Sequence, residues 1–300
     1  MRTTQKALDP VPWDIDVAES RDRFHPWRWG GTIALVLVTV ALALFLALNP
    51  RFEWDVVADY LFYPSVLEGL AMSVLLAVLA IGLGTVLGTV LALGRLSGFA
   101  PARLAAQAYI AVFRSIPPLV QLIFWFNLGY LIPTIGLPGG HGPQWTTTSL
   151  ITPLSAAIIG LTLHESAYIA EIVRSGITSV PPGQIDAAKA VGMTPRQTFL
   201  RVIVPQAMRV ILPPFGNEFI STVKGTSLVS VIAMSDLLFS VQVIADRTYQ
   251  IVPMLVVACL WYLVVITALT YVQRTLERRY GRGFQDTRTR RRTARPGGSR

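Results

Sequence analysis

Six apolar runs, beginning near Thr32, Val66, Arg103, Leu150, Val210 and Ile251, leave this chain few folds to choose from. Roughly 20 residues at about 1.5 Å rise per residue cross a hydrocarbon core, so each run is expected to be one membrane-spanning helix. The first, Thr32 to Leu48, is short enough for the apolar core of a signal peptide. The 31 residues before it carry as many acids as bases, however, and no small-residue cleavage site follows, so a signal anchor fits better. With 52% hydrophobic and 14% charged residues, the composition points away from a soluble protein.

Net charge is +9, and the placement of the charges decides what that means. Alternating spans put segments 1–31, 95–103, 173–209 and 274–300 on one side, and these hold 22 of the 26 Lys and Arg residues. The opposite loops contain only Arg51 and Arg247, while Arg114 and Lys224 fall inside apolar runs. The positive-inside rule then places both termini in the cytoplasm. The basic tail 279–300 reads as a solvated, disordered end near anionic lipid, with no nucleic-acid partner.

The chain lacks catalytic signatures. No G-x-x-x-x-G-K-[ST], H-E-x-x-H or G-x-S-x-G occurs, and the single cysteine, Cys259, builds neither a disulfide nor a metal cluster. No catalytic residue, metal or cofactor is expected, and any ATP would be bound by a partner. Transport, reception or scaffolding remain; an ion-driven secondary transporter is the main rival, although its inverted repeats are not visible.

Between the fourth and fifth runs lies a polar block, 180–206. Pro181 and Pro182 end one helix, Gly183 allows a turn, and "QIDAAKAV" predicts a helix of about two turns with Ile185, Ala188 and Val191 on its apolar face. Asp186 and Lys189 pair at i, i+3. Gly192 stops this helix, and Thr194, Pro195 and Gln197 form a capping-box restart that runs until Pro205 interrupts or kinks it. Periodicity alone fits two readings: an amphipathic loop on the membrane interface, or a shelf that a partner covers.

Polar residues at membrane depth are costly and face cavities or partners. Three stripes follow helical spacing: Gln107, Arg114, Gln121 and Trp125; His164, Tyr168, Glu171 and Ser175; and Asn217, Ser221, Lys224 and Ser235. Glu165 is expected to bind a substrate ammonium group. Three alternatives stay open for it: a salt bridge with Lys224, a zwitterion divided between the two, or a protonated, hydrogen-bonded carboxyl. Pro213, Pro214 and Gly216 suggest an irregular start to the fifth span, and Gly84 with Gly88 a close helix contact, for which a subunit interface is one place.

The block "GQIDAAKAVGMTPRQTFLRVIVPQA" resembles the EAA loop of ATP-binding-cassette importer permeases, with Asp186, Ala187, Ala188, Gly192 and Pro205 at the patterned places and Gly183 just before them. "FRSIPPLVQL" (113–122), "AYIAEIVRSGI" (167–177) and "KGTSLVSVI" (224–232) are similar to the histidine, glutamine and arginine type of permease. The resemblance runs from about Val66 to Arg278. It implies an all-α, polytopic protein with a five-helix type I permease core (66–278, EAA loop 180–206), to which this chain's own apolar runs add one extra helix (32–48) after a cytoplasmic segment (1–31), six spans in all. It also implies ATPase subunits docked on the EAA loop, an extracytoplasmic solute-binding protein, and a second permease subunit, either a copy or a paralogue. The cell inner membrane would be the location, and a polar amino acid or an analogue such as an opine the solute. Arg114, Gln121, His164, Glu165, Tyr168, Asn217, Ser221 and Lys224 are the candidate pathway residues. The chain departs from the pattern at Asp186 for Glu, Val204 for Leu, Gly225 for Asp, and in the added first span.

Overall fold

The computed structural model describes residues 26–136 and 144–280, so the expectations for segment 1–25 and for the tail from 281 onwards lie outside the described residues. The chain divides into two units, 1–52 and 53–300. In the first, α1 (Pro26–Leu48) is apolar around its whole circumference and its described side chains are exposed, as suits a helix in lipid; a 3-10 turn, Pro50–Phe52, follows.

The second unit opens with a short helix, α2 (Trp54–Leu61), and a long one, α3 (Pro64–Leu96). Pro117 and Pro118 then break the third apolar run into α4 (Ala100–Ser115) and α5 (Pro118–Phe126), which meet at 101°. Neither proline supplies an N–H, and the residue before a proline avoids helical geometry, so Ile116 and Pro117 are extended. The expected single face through Gln107, Arg114, Gln121 and Trp125 therefore does not exist. A turn of helix, α6 (Leu128–Leu131), leads to an antiparallel ribbon of β1 (Thr134–Gly136) and β2 (Gln144–Thr146), paired Thr134 to Thr146. This ribbon departs from the all-α expectation.

After α7 (Thr147–Leu150), α8 (Pro153–Thr178) starts on a capping box made by Thr152 and Ser155. It packs along α3 in parallel, because Gly84 faces Glu165 and Gly88 faces Ile169 and Ala170. A Cβ on Gly88 would lie 2.7 Å from the Ser166 carbonyl oxygen, so the close helix contact expected of this pair of glycines forms within the chain, against α8.

The shelf comprises α9 (Pro182–Ala190), α10 (Pro195–Thr198) and a π turn, Phe199–Ile203, and runs directly into α11 (Val204–Gly225). Pro205 lacks an N–H, and the wide turn just before it lets the helix continue where an interruption was expected. Pro213 and Pro214 likewise lie inside α11, not at an irregular start. A 3-10 segment, Thr226–Ile232, leads to α12 (Leu237–Thr248) and α13 (Ile251–Tyr280). Among the described residues four helices are long and apolar enough to cross a membrane; the bent pairs α4–α5 and α11–α12 raise that to as many as six.

Candidate functional site

The shelf is built by local rules. Gly192, at φ +80, closes α9: its N–H donates to Lys189 O at 2.9 Å, and the Met193 N–H donates to Ala188 O at 3.0 Å. This is the paired Schellman closure, which needs a residue at ease in the left-handed region. Thr194 and Gln197 then cap α10 reciprocally, at 2.9 and 3.3 Å. Asp186 meets Lys189 at 3.7 Å on the exposed side.

Ala188 is buried, Asp186 and Ala187 face outward, and Val191, expected on the apolar face, is 77% exposed. Gly183 lies within α9 instead of making a turn before it. Beneath the shelf, Val180, Ala207 and Ile211 form a buried cluster against which Ile177, Ile185, Ile203 and Phe215 pack. The shelf is thereby braced on the end of α8 and the start of α11.

Near the end of α8, Glu171 gathers three guanidinium groups: Arg95, Arg174 at 2.8 Å and Arg114 at 3.9 Å. Arg114 also stands 5.1 Å above the Tyr168 ring. On its other side opens a cavity of about 460 Å³, bounded by Arg114 and the α4–α5 break, by His164, Glu165 and Tyr168 of α8, and by Glu218 and Ser221 of α11.

Glu165 is only 5% exposed, and its Oε2 has no hydrogen-bond partner. Its electrostatic neighbours are the Glu218 carboxyl and the Thr222 hydroxyl, while Arg114 acts on Glu218. The His164 and Tyr168 rings lie 5.0 Å apart. Among the described residues, no group of three His, Cys, Asp or Glu could hold a metal ion.

Five of the eight expected pathway residues meet at this cavity: Arg114, His164, Glu165, Tyr168 and Ser221. Gln121 stands behind it as a brace. Its Nε2 donates to the Phe113 and Ile116 carbonyls at 2.9 and 2.8 Å, filling acceptors that the proline break leaves free, and lies 3.2 Å from His164 Nδ1. Asn217 instead accepts from Gln273 of α13 at 2.9 Å.

Lys224 is exposed and makes no ion pair among the described residues, so the expected bridge to Glu165 is absent. Thr222 faces α8, and two further residues turn Lys224 about 200° away. Glu218 was missed: the stripe chosen on α11 ran one residue to the side, although Glu218 is the one acid in that helix.

Comparison with known proteins agrees with this architecture. The family model for the inner membrane component of binding-protein-dependent transport systems matches residues 84–282. The arginine transport system permease protein ArgU of Corynebacterium glutamicum is 41% identical over 280 residues, covering 92% of this chain and 87% of that protein. The glutamate/aspartate import permease protein GltK of Escherichia coli is 35% identical, over 76% of this chain and 98% of its own length. A crystal structure of an amino acid ABC transporter with histidines has a TM-score of 0.63 at 35% identity, covering 73% of this chain and 95% of that one. The chain belongs to the family of inner membrane components of binding-protein-dependent transport systems, as a multi-pass permease subunit.

Proposed function

We propose that this chain is the permease subunit of an ATP-driven importer for a polar amino acid, and that a cationic side chain is preferred. The observation that carries the reading is the cavity beside Glu165. Two carboxyl groups, Glu165 and Glu218, face one guanidinium, Arg114, at membrane depth. Carboxylates there are costly without a cation, so an ammonium or guanidinium group suits the Glu165–Glu218 side and the substrate carboxylate suits Arg114. The likeness to an arginine permease points the same way.

The exposed face of α9, with Asp186 and Ala187, is the docking surface for ATPase subunits, and the buried cluster beneath it passes their motion to α8 and α11. A solute-binding protein delivers substrate on the opposite side, and a second permease subunit completes the pathway. Six spans with both termini in the cytoplasm agree with the distribution of Lys and Arg, and the inner membrane is the location.

Liposomes holding the chain with its ATPase, supplied with the binding protein, test the whole reading. Uptake of labelled arginine should require internal ATP and exceed uptake of glutamine, octopine and glutamate. ATP-independent uptake driven by an ion gradient would reject it.

A further inference from the structure

A second cavity, larger at about 590 Å³, lies at the other end of the second unit. It opens between α2, the first turns of α3 and α12, and its walls include Tyr63, Glu68, Ser235, Phe239, Ser240 and Arg247. Because α3 and α8 run parallel and the shelf follows the end of α8, this is the end remote from the shelf. Ser235, expected beside Asn217 and Lys224 on a pathway stripe, lies here instead. It follows Leu228, which lines the cavity at Glu165, by only seven residues.

Glu68 on α3 and Arg247 on α12 are the two charged residues lining this cavity, and neither has an ion-pair partner among the described residues. An acid and a base that share one cavity, do not pair, and face it from different helices complement an ammonium and a carboxylate borne by one small molecule. Ser65, Ser235 and Ser240 also line it, and Phe239 and Met72 supply apolar wall. The cavity carries no net formal charge, so it selects for a zwitterion and not for the sign of a side chain. The cavity beside Glu165, with two carboxyl groups to one guanidinium, does the reverse.

We propose that this cavity is an outer site for α-amino acids. It holds the backbone ammonium at Glu68 and the carboxylate at Arg247 before the side chain is sorted at Glu165 and Glu218. The assignment rests on the amino-acid reading above. Both charged groups are exposed, so the affinity is weak, roughly millimolar.

The sequence offers a clean test, since Cys259 is its single cysteine. Ser235→Cys in a Cys259→Ser chain, reconstituted with its ATPase, is labelled from outside with a charged methanethiosulfonate reagent. Free L-alanine or L-arginine, at ten times its dissociation constant, should slow labelling about tenfold by simple occupancy. Agmatine, which lacks the carboxylate, should not. Glu68→Gln and Arg247→Met should each abolish the protection; neither residue has a partner to lose, so folding is spared.

Unchanged labelling with amino acid overturns the assignment. So does protection that survives both substitutions, and so does protection given only by the binding protein, which would make the cavity a docking contact. Arginine uptake measured in the same vesicles separates the two readings: uptake without protection rejects the outer site alone, and protection without ATP-driven uptake rejects the importer reading alone.

Discussion

Gln121 is buried at the α4–α5 break, where its amide satisfies two main-chain carbonyls that no apolar side chain could reach. Gln121→Leu should lower the stability of the assembled transporter by about 1–3 kcal/mol, the cost of leaving buried acceptors unpaired, with the order of substrates unchanged. Thermal denaturation and competitive uptake read the two effects separately; a changed substrate order would return Gln121 to the pathway. Glu218→Gln should do the opposite. On the proposed preference for a cationic substrate, removing one charge that faces it costs about 1.5 kcal/mol, so the apparent transport constant for arginine should rise roughly tenfold while that for glutamine stays nearly constant. The depth of Glu165 was legible because an acid so far into an apolar run stands out. Glu218 carried the same signal as the one acid in α11, but which face it joins is set by what packs against it, and α11 presents Glu218 and Thr222 to α8 while Asn217 turns to α13.

At the scale of elements, the contact of α3 with α8 depends on two glycines that differ in clearance. A Cβ at Gly88 would meet backbone oxygen at 2.7 Å, one at Gly84 would meet the Glu165 Cβ at 3.2 Å, and one at Gly82 meets nothing within 4 Å. Gly88→Ala should therefore lower the melting temperature of the purified chain most, Gly84→Ala less, and Gly82→Ala should be neutral or stabilising, since alanine favours a helix by up to about 1 kcal/mol. Equal effects at all three positions would show that α3 and α8 separate more readily than this packing allows. Caps were readable from sequence, because the Gly192 closure and the Thr194–Gln197 box need only residues a few places apart. The 101° break was announced by Pro117 and Pro118, yet the apolar residues on both sides of it read as one span of membrane length and hid it. The β1–β2 ribbon had no such signal: three-residue strands are held by their pairing, not by their own pattern.

Across the whole molecule, a mechanical link joins the exposed shelf to the cavity beside Glu165. From α9 it passes through the buried cluster of Val180, Ala207 and Ile211 into α8 and α11, the two helices that carry Glu165 and Glu218. Gly176 leaves no room for a Cβ against Ile211 and the Ala207 carbonyl, so these helices are clamped together where the shelf meets them. Asp186 stands outside this clamp, exposed, with Lys189 as its partner. An exposed pair of this kind contributes well under ~1 kcal/mol to stability, so Asp186→Arg should leave membrane insertion and melting temperature almost unchanged. If ATPase subunits dock on this face, the same substitution places a cation where a carboxylate acceptor stood. Uptake should then fall at least tenfold, the equivalent of about 1.4 kcal/mol, while the ATPase subunits either dissociate or hydrolyse ATP without moving solute. Co-purification of the ATPase, ATP hydrolysis and uptake, measured on one preparation, separate those two outcomes. Full uptake by the Asp186→Arg transporter would mean that force enters the permease by another route.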